Sequence, residues 1–203
     1  ENDRGMYRAY GPALQRSGEK AYGFDVWVKN TPELVMDKRY KVDYDANIIE
    51  DSLYKIGKKE EARAIDDATS FHYDHGNGMD CYSVGPTLGC GTPALMKDGN
   101  MIMPYCYKDY EILDNGPLRF TVRLNFNPVS IGNDKNVVEH RLISLDKGSN
   151  FNKITVWYDG MKSACKFVTG VVLHSSDGAV LDKETVLYAD PTDDPDKNNS
   201  QIY

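Results

Sequence analysis

The sequence has no surplus of basic residues, no long apolar run and few cysteines. Lysine and arginine number 24 against 31 acidic residues, for a formal net charge of −7. Nucleic-acid binding needs a basic face to neutralise phosphates, so this balance argues against nucleic acid as a partner and leaves sugars and small molecules open. No apolar stretch approaches the length of a membrane span, and no signal peptide is recognisable. The four cysteines, at positions 81, 90, 106 and 165, lack C-x-x-C spacing. Cys81 and Cys90 stand close enough for a loop-closing disulfide, and a pair of buried thiols fits equally well. Internal repeats and low-complexity tracts are absent. The chain starts at Glu1 without a methionine and stops at Ile202-Tyr203, in what reads as the start of another strand. We therefore expect a mature or trimmed fragment of a longer protein.

What is abundant is tyrosine, 14 in 203 residues, with modest alanine and leucine. That mix favours β structure over a helical bundle, and the length suits one domain with a substantial core. Residues 1–12 alternate around Met6, Arg8 and Tyr10 and read as a strand ended by Gly11-Pro12. A polar loop over 14–23 and a short strand over 24–29, around Trp27, follow. Thr31-Pro32-Glu33 has the form of a helix start. Residues 46–68 are rich in lysine and glutamate and interrupted by Gly57, which predicts a helical insertion with a solvated charged face.

Beyond residue 91 the pattern is β throughout. Asp98-Gly99 and Asn115-Gly116 are hairpin signals. Leu118, Phe120, Val122, Leu124 and Phe126 share one face of the clearest strand, with Arg119, Thr121, Arg123 and Asn125 on the other. Strands over 137–145, 154–158, 167–174 and 185–189 come next, and 191–200 reads as an acidic loop. This succession predicts a mainly β fold, an antiparallel β-sandwich in one domain over 1–203.

The richest chemistry lies in FHYDHGNGMDCYSVGPTLGCG, residues 71–91. It holds two histidines, two aspartates, two tyrosines, two cysteines and five glycines. Catalytic groups tend to sit on irregular loops held by a rigid scaffold. His72 and His75 can exchange protons near neutral pH, and Tyr73 or Tyr82 can act as acid or as oxyanion donor. His72-x-x-His75 with Asp80 or Cys81 suggests zinc, and Asp74, Asn77 and Asp80 suggest calcium. Neither ligand set is complete, so no metal and no cofactor is expected. The glycines also lack the Lys-Ser/Thr ending of a phosphate loop. Arg119, Arg123 and Arg141 could clamp an acidic group, or pair with Glu111, Glu139 or Asp146. His140 and His174 fit structural roles unless the fold brings them to the 71–91 segment. Trp27, Tyr73, Tyr82, Tyr105 and Tyr107 could stack on sugar rings or fill the core.

Several stretches together resemble a family. ENDRGMYRAYGPALQ, FDVWVKN, HYDHGNGMDCYSVGPTLGCGTPAL, YKDYEILDNGPLRFTVRL and ISLDKGSNFNKITVWYDG are similar to a bacterial domain-of-unknown-function family found in polysaccharide-utilisation gene clusters. Leu145, Gly148, Ser149 and Trp157 resemble strand-pair positions of the galactose-mutarotase-like superfamily. The resemblance implies a galactose-mutarotase-like supersandwich, a periplasmic or secreted location, and an oligosaccharide or polysaccharide as partner. It implies elimination from a uronate-containing substrate: Arg119 or Arg4 neutralises the carboxylate, His72 or His75 takes the proton, and Tyr73 or Tyr82 protonates the leaving oxygen. Trp27, Asn77, Asp80, His140 and His174 would contact the sugar. Hydrolysis by Asp74 with Asp80 or Glu139, and sugar binding without turnover, are the alternatives.

Overall fold

The computed structural model describes residues 1–175, 179–182 and 184–190. The acidic stretch 191–200 and the strand expected at the chain's end lie outside the described residues. The fold is mainly β and antiparallel, with the helices gathered before the main sheets.

The first strand, β1, is only Met6–Arg8, and the short helix α1 spans Pro12–Ser17 where a polar loop was expected. Pro12 supplies a fixed φ at the first turn, so the residue expected to stop a strand starts a helix instead. After β2, Asp25–Val28, come two helices, α2 at Met36–Lys55 and α3 at Lys59–Thr69. The helical segment thus begins at Met36, well before residue 46, and not at Thr31-Pro32-Glu33. Its first turn is capped from far away in sequence: the Glu1 carboxylate accepts the amides of Val35 at 3.1 Å and Met36 at 2.8 Å. The two helices form an antiparallel surface hairpin, and in α3 only Ala62 is buried.

The two-residue strand β3, Met79–Asp80, completes a small sheet in the order β1-β2-β3. A second sheet is built on β4, Cys90–Lys97, and β5, Asn100–Ile102. Asp98 and Gly99, both with positive φ (52° and 79°), make the tight turn between them. The largest sheet contains β6 (Tyr107–Asn115), β7 (Arg119–Phe126), β8 (Val129–Ile131), β9 (Asp134–Asp146) and β10 (Asn152–Asp159). Its order is β10-β9-β7-β6, with β8 paired to β9. Strand β11, Lys166–Val171, joins β4 to give β11-β4-β5, and β12 (Val180–Leu181) pairs with β13 (Val186–Leu187).

The layers meet in a sandwich-like arrangement. Leu124 and Phe126 of β7 pack with Ile143 and with Phe24, which leads into β2. Leu95 of β4 packs against Ile131 and Val137 of the large sheet. The expected apolar face of β7 is therefore graded: Leu124 and Phe126 are buried, whereas Leu118 lies before the strand and is 71% exposed. Within this interface sits an ion pair between Glu139 and Arg141, both side chains 3% exposed, with the guanidinium 4.3 Å from the Phe126 ring centroid.

Candidate functional site

The small sheet separates two environments by simple alternation. Met6 faces Trp27 and Arg8 faces Asp25 across β1–β2, and Trp27 faces Asp80 across β2–β3. Directly opposed residues in an antiparallel ladder share a face. One face therefore carries Met6, Arg8, Asp25, Trp27 and Asp80, and the other Tyr7, Val26, Val28 and Met79. On the latter face Val26, Val28 and Met79 pack into a core with Cys81, Tyr82 and Val84. The former holds a charged cluster beside buried Trp27.

Arg8 is the centre of that cluster. Its Nη2 donates to Asp25 Oδ2 and, at 2.6 Å, to Asp80 Oδ2. Its Nε donates to Asp25 Oδ2 at 3.0 Å, and its Nη1 to the Tyr40 hydroxyl at 3.1 Å. The Tyr10 hydroxyl donates to Asp25 Oδ2 at 2.9 Å. The guanidinium also lies 5.4 Å from the ring centroids of both Tyr10 and Trp27, within cation–π range. Asp25 is 0% and Asp80 1% exposed. Arg8, Tyr10, Tyr40, His72, Asp80 and Arg16 all line one cavity of about 760 Å³, a size that fits a small ligand or a few sugar rings.

Burial sets the proton affinities here. It pushes the Asp80 carboxyl up to about 7, helped by the neighbouring Asp25 charge and opposed by Arg8 and His72. The Asp25 carboxyl is also raised by burial, against the pull of Arg8 and Tyr10. Burial raises the phenols of Tyr10 and Tyr40, so both keep their protons near neutral pH. Arg8 goes up, because the two carboxylates outweigh the cost of its burial. The wall thus offers a carboxyl able to give or take a proton at neutral pH, the kind of group acid–base catalysis requires.

The histidine-bearing loop is shaped by backbone contacts. Arg39 of α2 donates to Asn77 Oδ1 at 2.6 Å and to the carbonyls of Gly78, Ser70 and Tyr73 at 3.0, 3.1 and 2.8 Å. Asp74 Oδ1 accepts the amides of Gly76 at 2.8 Å and Gly78 at 3.0 Å. At Gly78, with φ of 105°, a Cβ would collide with the Val28 carbonyl, so only glycine lets the loop rejoin the sheet at β3. The carbonyl of Asp80 lies 3.2 Å from His72 Nδ1. A carbonyl only accepts, so this contact puts the proton of a neutral His72 ring on Nδ1 and the lone pair on Nε2.

Of the residues singled out in the sequence, the fold brings His72 and Asp80 together at this cavity, with Trp27 packed behind at 1% exposure. His75 points back to the Ser70 carbonyl at 3.0 Å, and Asn77 and Tyr73 are held by Arg39. Tyr82 is buried on the opposite face of the small sheet, its hydroxyl donating to the Gly89 carbonyl at 2.9 Å. His174 lies near it, 2.6 Å from Asp190 and 2.8 Å from the Ser83 carbonyl. Arg119 pairs with Asp146, and Arg123 with Glu111, on the wet face of the large sheet. His140 is on that face too, stacked on Trp157 at 5.1 Å and bonded to Asn125 and Asp159. Arg4 lines a separate cavity with Lys29 and Asn150. All four cysteines are free thiols, so Cys81 and Cys90 form no disulfide. Among the described residues, no three His, Cys, Asp or Glu side chains gather in a way that could hold a metal ion. No described helix is long and apolar enough to cross a membrane.

Sequence reasoning passed over Arg8, Tyr10, Asp25 and Tyr40 as site residues. The signal was there: an arginine and an aspartate stand in otherwise apolar short strands, MYR and DVWV, where a lone charge demands a partner.

The whole chain, residues 1–203, matches the family model described as a domain of unknown function, DUF4861. An "Uncharacterized protein P7" of Formosa agariphila is 29% identical over 187 residues, covering 89% of this chain and 41% of that protein. The chain therefore spans well under half the length of this curated relative. No solved structure matches it.

Proposed function

The chain belongs to the DUF4861 family, a domain of unknown function, and from that premise we propose that it is a carbohydrate-active protein that eliminates across a C–O bond of an acidic oligosaccharide. The observation that carries the reading is the cavity wall itself, which unites Asp80, His72, Arg16 and the three phenols of Tyr10, Tyr40 and Tyr107. Arg16 is the cation placed to meet a substrate carboxylate, since Arg8 is already held by two aspartates. Neutralising that carboxylate acidifies the adjacent C–H. His72 Nε2 takes the proton, the electron pair forms a C=C bond, the C–O bond breaks, and the leaving oxygen takes the Asp80 proton. Proton return from His72 to Asp80 through solvent restores the site. A galactose-mutarotase-like sandwich, an origin in a polysaccharide-utilisation cluster and a periplasmic or secreted location belong to this proposal.

The test is ultraviolet absorbance of the unsaturated product during incubation with uronate-containing oligosaccharides, alongside a reducing-end assay. Rising absorbance that is lost in Asp80→Asn and in His72→Gln is the expected result. Hydrolysis is the second reading, favoured by the convergence of two carboxyls on Arg8; it predicts new reducing ends with no absorbance change. Against it, Asp25 is 0% exposed and stands behind Arg8 rather than at the cavity wall. Binding without either signal identifies a sugar-binding module.

A further inference from the structure

We infer that Asp25 and Asp80 share a single proton at neutral pH, and that Asp25 is a positioning residue that acts through Arg8 to keep this proton on Asp80. The inference deepens the reading of Asp80 as proton donor and rests on it for its catalytic meaning.

The two carboxyls are alike in burial and unlike in partners. Asp25 receives four donors: Arg8 Nε, Arg8 Nη2 and the Tyr10 hydroxyl on Oδ2, and the Val26 amide at 2.8 Å on Oδ1. Asp80 receives one among the described residues, Arg8 Nη2 at 2.6 Å. Each donor to a carboxylate favours its ionised form, so the anion belongs on Asp25. One guanidinium cannot compensate two buried carboxylates. A second uncompensated charge out of water costs several kcal/mol, and taking up one proton removes that cost. The remaining groups facing the pair are the Tyr10 and Tyr40 phenols and His72 on the cavity side, with the Cys90 thiol and the Tyr82 phenol near Asp25 from the other side of the small sheet. None supplies a second fixed positive charge. The proton therefore resides on the carboxyl that reaches the cavity, and the sealed one holds Arg8 away from claiming Asp80 outright.

Carboxyl-selective carbon NMR on the ¹³C-aspartate-labelled protein tests this without a substrate. The expected result for the wild type is one step near neutral pH, at Asp80, with Asp25 ionised across that step. In Asp25→Asn the guanidinium is left to Asp80 alone, and its midpoint drops by about one unit or more. Tyr10→Phe keeps both carboxyls and Arg8 while removing one donor from Asp25. In that variant the Asp25 signal moves toward that of a protonated carboxyl, which keeps the test available if Asp25→Asn does not fold. An Asp80 midpoint unmoved in Asp25→Asn, or a wild-type protein that carries its proton on Asp25, overturns the inference. If substrate turns over, the acid–base limb of its pH profile moves with the NMR midpoint. Failure of all substrates would count against the elimination reading alone and leave the titration result standing.

Discussion

Arg39 and Asn77 face each other at 2.6 Å, a guanidinium nitrogen of α2 against the side-chain oxygen of the glycine-rich loop. Through this bond and three more to backbone carbonyls, one helix residue fixes the path of the segment that delivers His72 and Asp80. The Asn77 side chain reads as polar and available in the sequence; in the fold it is the anchor of a staple.

Arg39→Ala should therefore loosen the loop more than the helix. Hydrogen bonds to a buried charged group are worth about 1.5–3 kcal/mol each in favourable settings, and they are not additive. We expect a loss of about 3 kcal/mol in chemical denaturation. Hydrogen-exchange protection should vanish over residues 70–80 before it does elsewhere. A lysine in its place cannot span the four acceptors and should recover little.

Glu1→Gln should weaken the start of α2. The Glu1 carboxyl lies below its ordinary range: burial would raise it, but the Met36 and Val35 amides and Lys29 outweigh that. With a folded value below the unfolded one, this stabilisation is present above the unfolded carboxylate range. It is lost as pH falls through the folded value. A cap of this kind is worth about 1 kcal/mol. Thermal melts of wild type and Glu1→Gln should differ at neutral pH and converge in acid.

Asp80 carries the opposite sign. Its folded value, about 7, lies above that of an unfolded aspartate, so the folded chain binds the proton more tightly. The contribution is complete below the unfolded value and is lost as pH rises toward and through the folded one. Asp80→Asn should flatten that part of the stability–pH curve. A curve of unchanged slope in the variant would contradict the assignment.

Glu139 and Arg141 form a buried pair, and truncating one partner strands the other's charge. Glu139→Gln or Arg141→Met alone should cost about 3–5 kcal/mol, while the double variant should recover most of it. A double-mutant cycle by urea denaturation measures the difference. Equal losses in the singles and the double would mean that packing of the arginine on Phe126, rather than charge, is what the pair contributes.

Much of the β architecture was legible because its signals are local. The Asp98-Gly99 turn, the alternation of β7 and the charged face of α3 each depend on neighbours in sequence. The start of α2 was not, because its cap comes from Glu1. The site was half legible for the same reason. His72 and Asp80 stand in a conspicuous loop, whereas Arg8 and Asp25 gain their meaning only when β1 pairs with β2. Tyr40 reaches them from a helix rich in charged residues, whose sequence gives no sign of a buried partner. Arg119, His140 and His174 have chemistry as suggestive as that of His72, yet each is turned to a partner on another face.

In β1, Tyr7 and Arg8 are adjacent and look opposite ways, one toward the Asn150 carbonyl and one into the charged cavity. A strand slipped by one residue would exchange them, turning Met6 out of its core with Trp27 and emptying the cluster of its cation. Chemistry and folding are thus written in the same reading frame of three residues. A single-residue insertion or deletion between Gly5 and Gly11 should be a graver lesion than replacing either side chain, since it removes the charged cluster and the Met6 packing in one step.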